Sequence, residues 1–341
     1  MVAESKDQVE AEREKARRKR LVIAVVAVVV LIPTVAMVIV NHIESEVPPP
    51  LWTPAALPIP AEQDNGWSLI ADYHSTTISG IDLEPLDKLM GAAKSGTPLA
   101  ELGRLLSPAR SVASKIGKHT KVCDAAFARQ RMVVPCLAVG TRACSVEPLE
   151  ICSRIVLFGA LDDAARGSPR ATGRLSNVLR QLTDAAANSP HPWVQSRSLV
   201  LLRKGIHQAA AVIRWRRVDT EKVRESLHAV SETSLPMEHF VIGSYLLKHQ
   251  VLRQLLEEND TWLLDEGDIM RGFNAPFEVA AQGKPLPPPP DYTAGLFWWF
   301  NNPIGKKMLD ALTPGADADF EKTTELRASV FERRKEALEL K

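Results

Sequence analysis

An unbroken apolar run over residues 21–40, LVIAVVAVVVLIPTVAMVIV, constrains this chain more than any other feature. Twenty residues at the helical rise span about 30 Å, the thickness of a bilayer's hydrocarbon core. No charged residue interrupts it. Lys15, Arg17, Arg18, Lys19 and Arg20 precede it, and Glu44 and Glu46 follow. An excess of Lys and Arg on the amino-terminal side holds that side in the cytoplasm. The sequence therefore predicts a single-pass signal anchor in the lipid bilayer, with the rest of the chain outside the cytoplasm. A cleaved secretory signal is the rival reading. Its apolar region runs to about 7–15 residues and ends at a small-x-small site, whereas this run is longer and closes on Met37, Val38, Ile39 and Val40. Pro33 inside the run is compatible with a spanning helix, which tolerates a kink.

Charge narrows the partners. Seven basic and five acidic side chains give the first twenty residues +2, and the whole chain is +1, which leaves about −1 for everything beyond the anchor. That balance carries no electrostatic footprint for nucleic acid. Aromatics are 6% of the chain while Ala, Leu, Arg and Glu abound, a composition that favours helix over sheet.

All four cysteines, Cys123, Cys136, Cys144 and Cys152, fall within thirty residues. Their gaps are too long for the Cys-x-x-Cys pairs of a zinc or thioredoxin-like site. In an oxidising compartment such a cluster makes disulfides. Three pairings are open, and short loops favour Cys123–Cys136 with Cys144–Cys152.

The pattern along the chain divides it into a charged cytoplasmic segment at 1–20, the anchor at 21–40, a Pro-rich spacer at 41–60, a helical extracytoplasmic domain at 61–313 and a charged C-terminal helix at 314–341. The spacer holds six prolines and no apolar periodicity, so it reads as a semi-rigid extended link that keeps the domain off the bilayer. Beyond it, Thr97-Pro98, Glu147-Pro148, Ser168-Pro169, Pro192, Asp219-Thr220 and Pro236 each open a helical stretch with apolar residues on one face. The segment from Lys121 to Val146 is the least helical, a short strand at 132–135 or a disulfide-tied loop. Periodicity fades again from Asp260 to Pro290, and the last helix reads as an exposed tail. The predicted fold is all-α: one transmembrane helix, then an antiparallel bundle or α–α stack with a disulfide-tied loop region.

Motifs for catalysis fail one by one. Glu225 with His228 is a lone Glu-x-x-His, where di-iron bundles need two; Glu238 and His239 are adjacent and form no second copy. There is no zinc-protease or nucleophile-elbow motif, and the stretch from Gly91 to Thr97 lacks a phosphate loop's lysine. Glu257, Glu258, Asp260, Asp265, Glu266 and Asp268 surround Gly267, but without the alternation of a calcium loop. No metal, cofactor or catalytic residue is expected on these grounds. Arg214, Arg216 and Arg217 flank Trp215 at a helix end, where cations complement the helix dipole. Asn259-Asp260-Thr261 is a single, chance-level glycan triplet. Phe297, Trp298, Trp299 and Phe300 form the densest aromatic group and are the candidate binding surface.

The reading is a membrane-anchored interaction or scaffold protein, its domain in the periplasm of a bacterial inner membrane and its partner another envelope protein. The alternative is an envelope-polymer hydrolase or binding protein that uses the carboxylates of 257–268 beside the aromatics at 297–300.

Overall fold

Helix formers dominate the composition, and helices are what the chain makes. In a computed structural model the described residues form eleven α-helices, two 3₁₀ turns and no strand. The structure describes residues 3–42, 46–74, 81–93, 97–136, 144–258, 266–284, 309, 312 and 318–340, and of 3–12, 36–42 and 318–320 the backbone alone. The helices are α1 (Ala3–His42), α2 (Glu84–Ala92), α3 (Leu99–Lys115), α4 (Gly117–Ala128), α5 (Glu147–Ala165), α6 (Arg170–Asn188), α7 (Pro192–Trp215), α8 (Glu221–Ala229), α9 (Met237–Glu258), α10 (Glu266–Ala281) and α11 (Ala318–Leu338).

The charged amino-terminal segment and the apolar run form one continuous helix, α1. Among the described residues no helix is long and apolar enough to cross a membrane. The described side chains of α1 run from Arg13 to Val35, so the apolar stretch they contain is the part from Leu21 onward. Residues 36–40, which the transmembrane reading needs, lie outside the described side chains.

The main core is built around α5. Leu149, Ile151, Cys152, Ile155, Val156, Leu157 and Phe158 are all buried, and a helix apolar on every side belongs in the middle. α6 packs on α5 and α7 on α6, and the short joints between them turn each helix back along its neighbour. α7 stops where Arg216 adopts a left-handed conformation, φ 52°. The 3₁₀ turn Gly66–Leu69 lies against α4 so closely that a Cβ on Gly66 would sit 2.2 Å from the Ala126 carbonyl oxygen.

Two expectations for the ends of the domain change. The C-terminal helix α11 is docked: Val330 and Ala337 are buried, and it packs chiefly on α7 and also on α8. Arginines are exchanged between α8 and α11. Arg224 donates to the carbonyls of Leu338 (3.0 Å) and Leu340, and Arg334 donates to that of Leu227 (2.9 Å). Each guanidinium thus bonds to carbonyls at or just beyond the other helix's carboxy-terminal end.

The proline-rich segment is docked as well. Leu51, Trp52, Ala56 and Leu57 join α9 and α10 in a second core with Val241, Tyr245, Ile269, Phe273 and Phe277. Helix α10 itself lies in a region where the sequence suggested fading periodicity. Ile269, Phe273 and Phe277 recur every four residues and are fully buried, which is an apolar helical face.

Two disulfides form, Cys123–Cys152 and Cys136–Cys144. The pairing by shortest loops is therefore corrected. Cys123 lies on α4 and Cys152 on α5, and helix packing brings their Cα atoms to 5.0 Å, within the bridging range. The segment after α4 runs as buried irregular chain beside Asn65, with one isolated bridge between Asn65 and Arg131. Asn65 serves it as a surrogate strand: its Oδ1 accepts from the Val133 N–H (3.0 Å) and its Nδ2 donates to the Val133 carbonyl (2.7 Å). Thus α4 extends helix to Ala128, and the chain beyond is tied by side chains rather than by a sheet.

Candidate functional site

A groove of about 590 Å³ opens between α6 and α8, with Ser176, Arg180 and Asp184 on one wall and Lys222, Glu225 and Ser226 on the other. A second hollow of about 430 Å³, over α4 and α6, shares Gly173 with it. A Cβ at that position would meet nothing within 4 Å.

The α6 wall is held rigidly. Arg180 donates to the carbonyls of Gln130 (2.6 Å) and Arg129 (2.8 Å), which follow the end of α4. Burial lowers its pKa, and the nearby Asp184 charge opposes that shift. Asp184 accepts from Arg131 Nε (3.0 Å), the Met132 N–H (2.6 Å) and Asn188 Nδ2 (2.8 Å). Those donors fix the orientation of the carboxylate. Across the groove Glu225 is exposed, as is Lys222 one turn away. The groove thus presents charged side chains and hydroxyls within a lining that is more apolar than polar.

Burial does raise one carboxyl, Asp163, against the lowering effect of Arg174. Arg174 joins three helices, pairing with Asp163 of α5 (2.8 Å) and Asp124 of α4 (2.6 Å). A Cβ on Gly159 would lie 2.6 Å from its Nη1, so the glycine clears the path of the guanidinium. This is a structural clamp, and Asp163 has an ion-pair partner. Among the described residues no group of three or more His, Cys, Asp or Glu could hold a metal ion.

The residues singled out in the sequence are dispersed. Phe297, Trp298, Trp299 and Phe300 lie outside the described residues, as do Asp260, Asp265 and the Asn259-Asp260-Thr261 triplet. Glu257 and Glu258 are exposed at the end of α9, where Gln254 Nε2 donates to Glu258 Oε1 (2.8 Å). Glu266 pairs with Arg253 and ties α10 to α9. Gly267 is buried inside α10 and makes no ion-binding turn. Glu225 and His228 are both exposed on α8, and Glu225 reaches the groove. Arg217 donates to the Ala165 carbonyl (3.0 Å) at the end of α5, and Trp215 Nε1 donates to the Thr97 carbonyl (3.3 Å). Both contacts are structural. The groove residues Arg180, Asp184 and Lys222 carried no sequence signal, because nothing local marks which polar residues of two amphipathic helices will face each other.

Against known protein families, curated proteins and solved structures, the chain shows no match.

Proposed function

We propose that the chain is a membrane-anchored interaction or scaffold protein of the cell envelope, held N-in through residues 21–40, with its domain outside the cytoplasm. The observation that carries this reading is the surface of α1. Its large hydrophobic side chains between Leu21 and Val35 are 46–66% exposed. A continuous apolar helix is not left in water, and a bilayer is the cover that the basic cluster at residues 15–20 suits. The two disulfides support an oxidising compartment on the far side.

The groove between α6 and α8, a largely apolar hollow with Lys222 and Glu225 on one wall, supports a binding role. The partner proposed is another envelope protein, taken at a helix face or at Phe297–Phe300. The hydrolase alternative has less support: among its described carboxylates, Glu258 and Glu266 are already bonded within the domain.

Crosslinking in intact cells, followed by mild detergent extraction and mass spectrometry, tests the proposal. A stoichiometric envelope protein is the expected product, and recovery of the chain alone would contradict it. Replacing Trp298 and Trp299 with alanine should reduce partner capture more than stability. Equal loss of both would remove the aromatics from the binding surface.

A further inference from the structure

The segment that follows α1 is held against the domain from its first described residue. Arg271 Nη1 donates to the Glu46 carbonyl (3.3 Å), Asn274 Nδ2 to the Pro49 carbonyl (3.5 Å), and the Leu51 N–H donates to the Tyr245 hydroxyl (2.9 Å). Trp52 meets the Tyr245 ring edge-on at 5.2 Å, and Leu57 is buried. From His42, the end of α1, to Glu46 is four Cα steps, which cover about 14 Å at full stretch. The α9–α10 end of the domain is therefore tethered within that distance of the apolar helix.

The outer side of the docked segment has an unusual chemistry. Residues 47–60, VPPPLWTPAALPIP, contain no charged side chain. Val47 is 44% and Ile59 54% exposed, and beyond α1 these are the exposed large hydrophobics among the described residues. Six of the fourteen positions are proline. Proline has no N–H, so fewer backbone donors must be satisfied if the segment leaves water.

We propose that residues 47–60 form an apolar collar that rests in the interfacial layer of the bilayer and seats the α9–α10 end of the domain on the membrane. The proposal rests on the anchor reading of α1, whose end fixes the reach. The occupant is lipid rather than a protein partner because the patch begins only seven residues beyond Val40, past Glu44 and Glu46, and is itself uncharged throughout.

The test uses the full chain reconstituted in phosphatidylcholine–phosphatidylglycerol vesicles. The native cysteines are paired, so nitroxide labels can be placed through Val29→Cys, Val47→Cys, Ile59→Cys and, as an aqueous reference on α8, Ser226→Cys. Relaxation by oxygen, which concentrates in lipid, is compared with relaxation by a water-soluble nickel chelate. The expected result is a hydrocarbon signature at 29 and an oxygen-to-chelate ratio at 47 and 59 several-fold above that at 226. Chelate access at 47 and 59 equal to that at 226, with 29 still in hydrocarbon, overturns the collar and leaves the anchor. Shielding of 47 and 59 from both agents means that protein covers them, which also overturns it. Chelate access at 29 overturns the anchor reading, and the collar with it.

Discussion

Tyr245 uses its hydroxyl twice. It accepts from the Leu51 N–H at 2.9 Å and donates to Asn274 Oδ1 at 3.1 Å, while its ring packs against Trp52, His249, Phe273 and Phe277. Tyr245→Phe keeps the ring and leaves the Leu51 donor and the Asn274 acceptor unpaired. The expected cost is about 1–3 kcal/mol, read by urea unfolding, and a cost near zero would show that the docked segment does not depend on the hydroxyl. Arg216 offers a change of opposite sign. A left-handed conformation costs an L-residue roughly 1–2 kcal/mol that glycine does not incur, so Arg216→Gly should raise stability by about 0.5–1 kcal/mol in the same assay. Histidines set the pH response. Burial first, then the nearby Lys118 and Arg253 charges, lower the pKa values of His119 and His249 respectively. A depressed folded value means that the contribution is whole above the unfolded value of about 6.5 and is lost as pH falls through the folded value. Asp163, raised by burial, contributes in the reverse sense. Its share is whole below the ordinary carboxylate value of about 3.9 and is lost as pH rises through the raised one. The melting temperature should therefore fall from about pH 7.5 to about pH 5, less so in His119→Gln/His249→Gln, and an identical slope in that variant would assign the fall elsewhere.

At the level of elements, the disulfides are unequal. Cys123–Cys152 closes 29 residues and Cys136–Cys144 closes 8. In the chain-entropy account the longer loop is worth about 1 kcal/mol more. Replacing the α4–α5 pair by alanines should lower stability by about 2–4 kcal/mol, and more than replacing the other pair; the reverse order in denaturant midpoints would contradict the pairing. The same helices show what was legible in the sequence. Proline and cap signals placed α5, α6, α7, α8 and α9 within a residue or two, since Glu147-Pro148 and Pro192 fix backbone geometry locally. Thr97 reads as a cap of α3, yet its hydroxyl donates to the Ala92 carbonyl (2.6 Å) and closes α2 instead. Helix α10 was obscured by the acidic residues at its start and by Pro276 inside it, although Ile269, Phe273 and Phe277 carry its period. The disulfide partners were not legible, because loop length says nothing about which helices pack. Nor was the groove, whose walls come from α6 and α8 and meet only through tertiary packing.

The whole molecule has an apolar helix at its amino end, a first segment bound back onto the domain, and a carboxy-terminal helix packed on α7 and joined to α8 by exchanged arginines. Both ends of the sequence suggested looser attachments, a free spacer and an exposed tail. In each case the contacts that hold them are made to residues about a hundred or more positions away, such as Tyr245 for Leu51 and Leu338 for Arg224. Those distances are invisible to local patterning. The proposal that α1 lies in a bilayer with the domain on the oxidising side is tested most directly by topology. Single cysteines introduced by Lys6→Cys and Ser226→Cys are exposed to a membrane-impermeant maleimide in intact spheroplasts, the native cysteines being paired. Labelling at 226 with protection at 6 until the membrane is permeabilised is the expected result. Labelling at 6 with 226 protected, or protection of both, would contradict it.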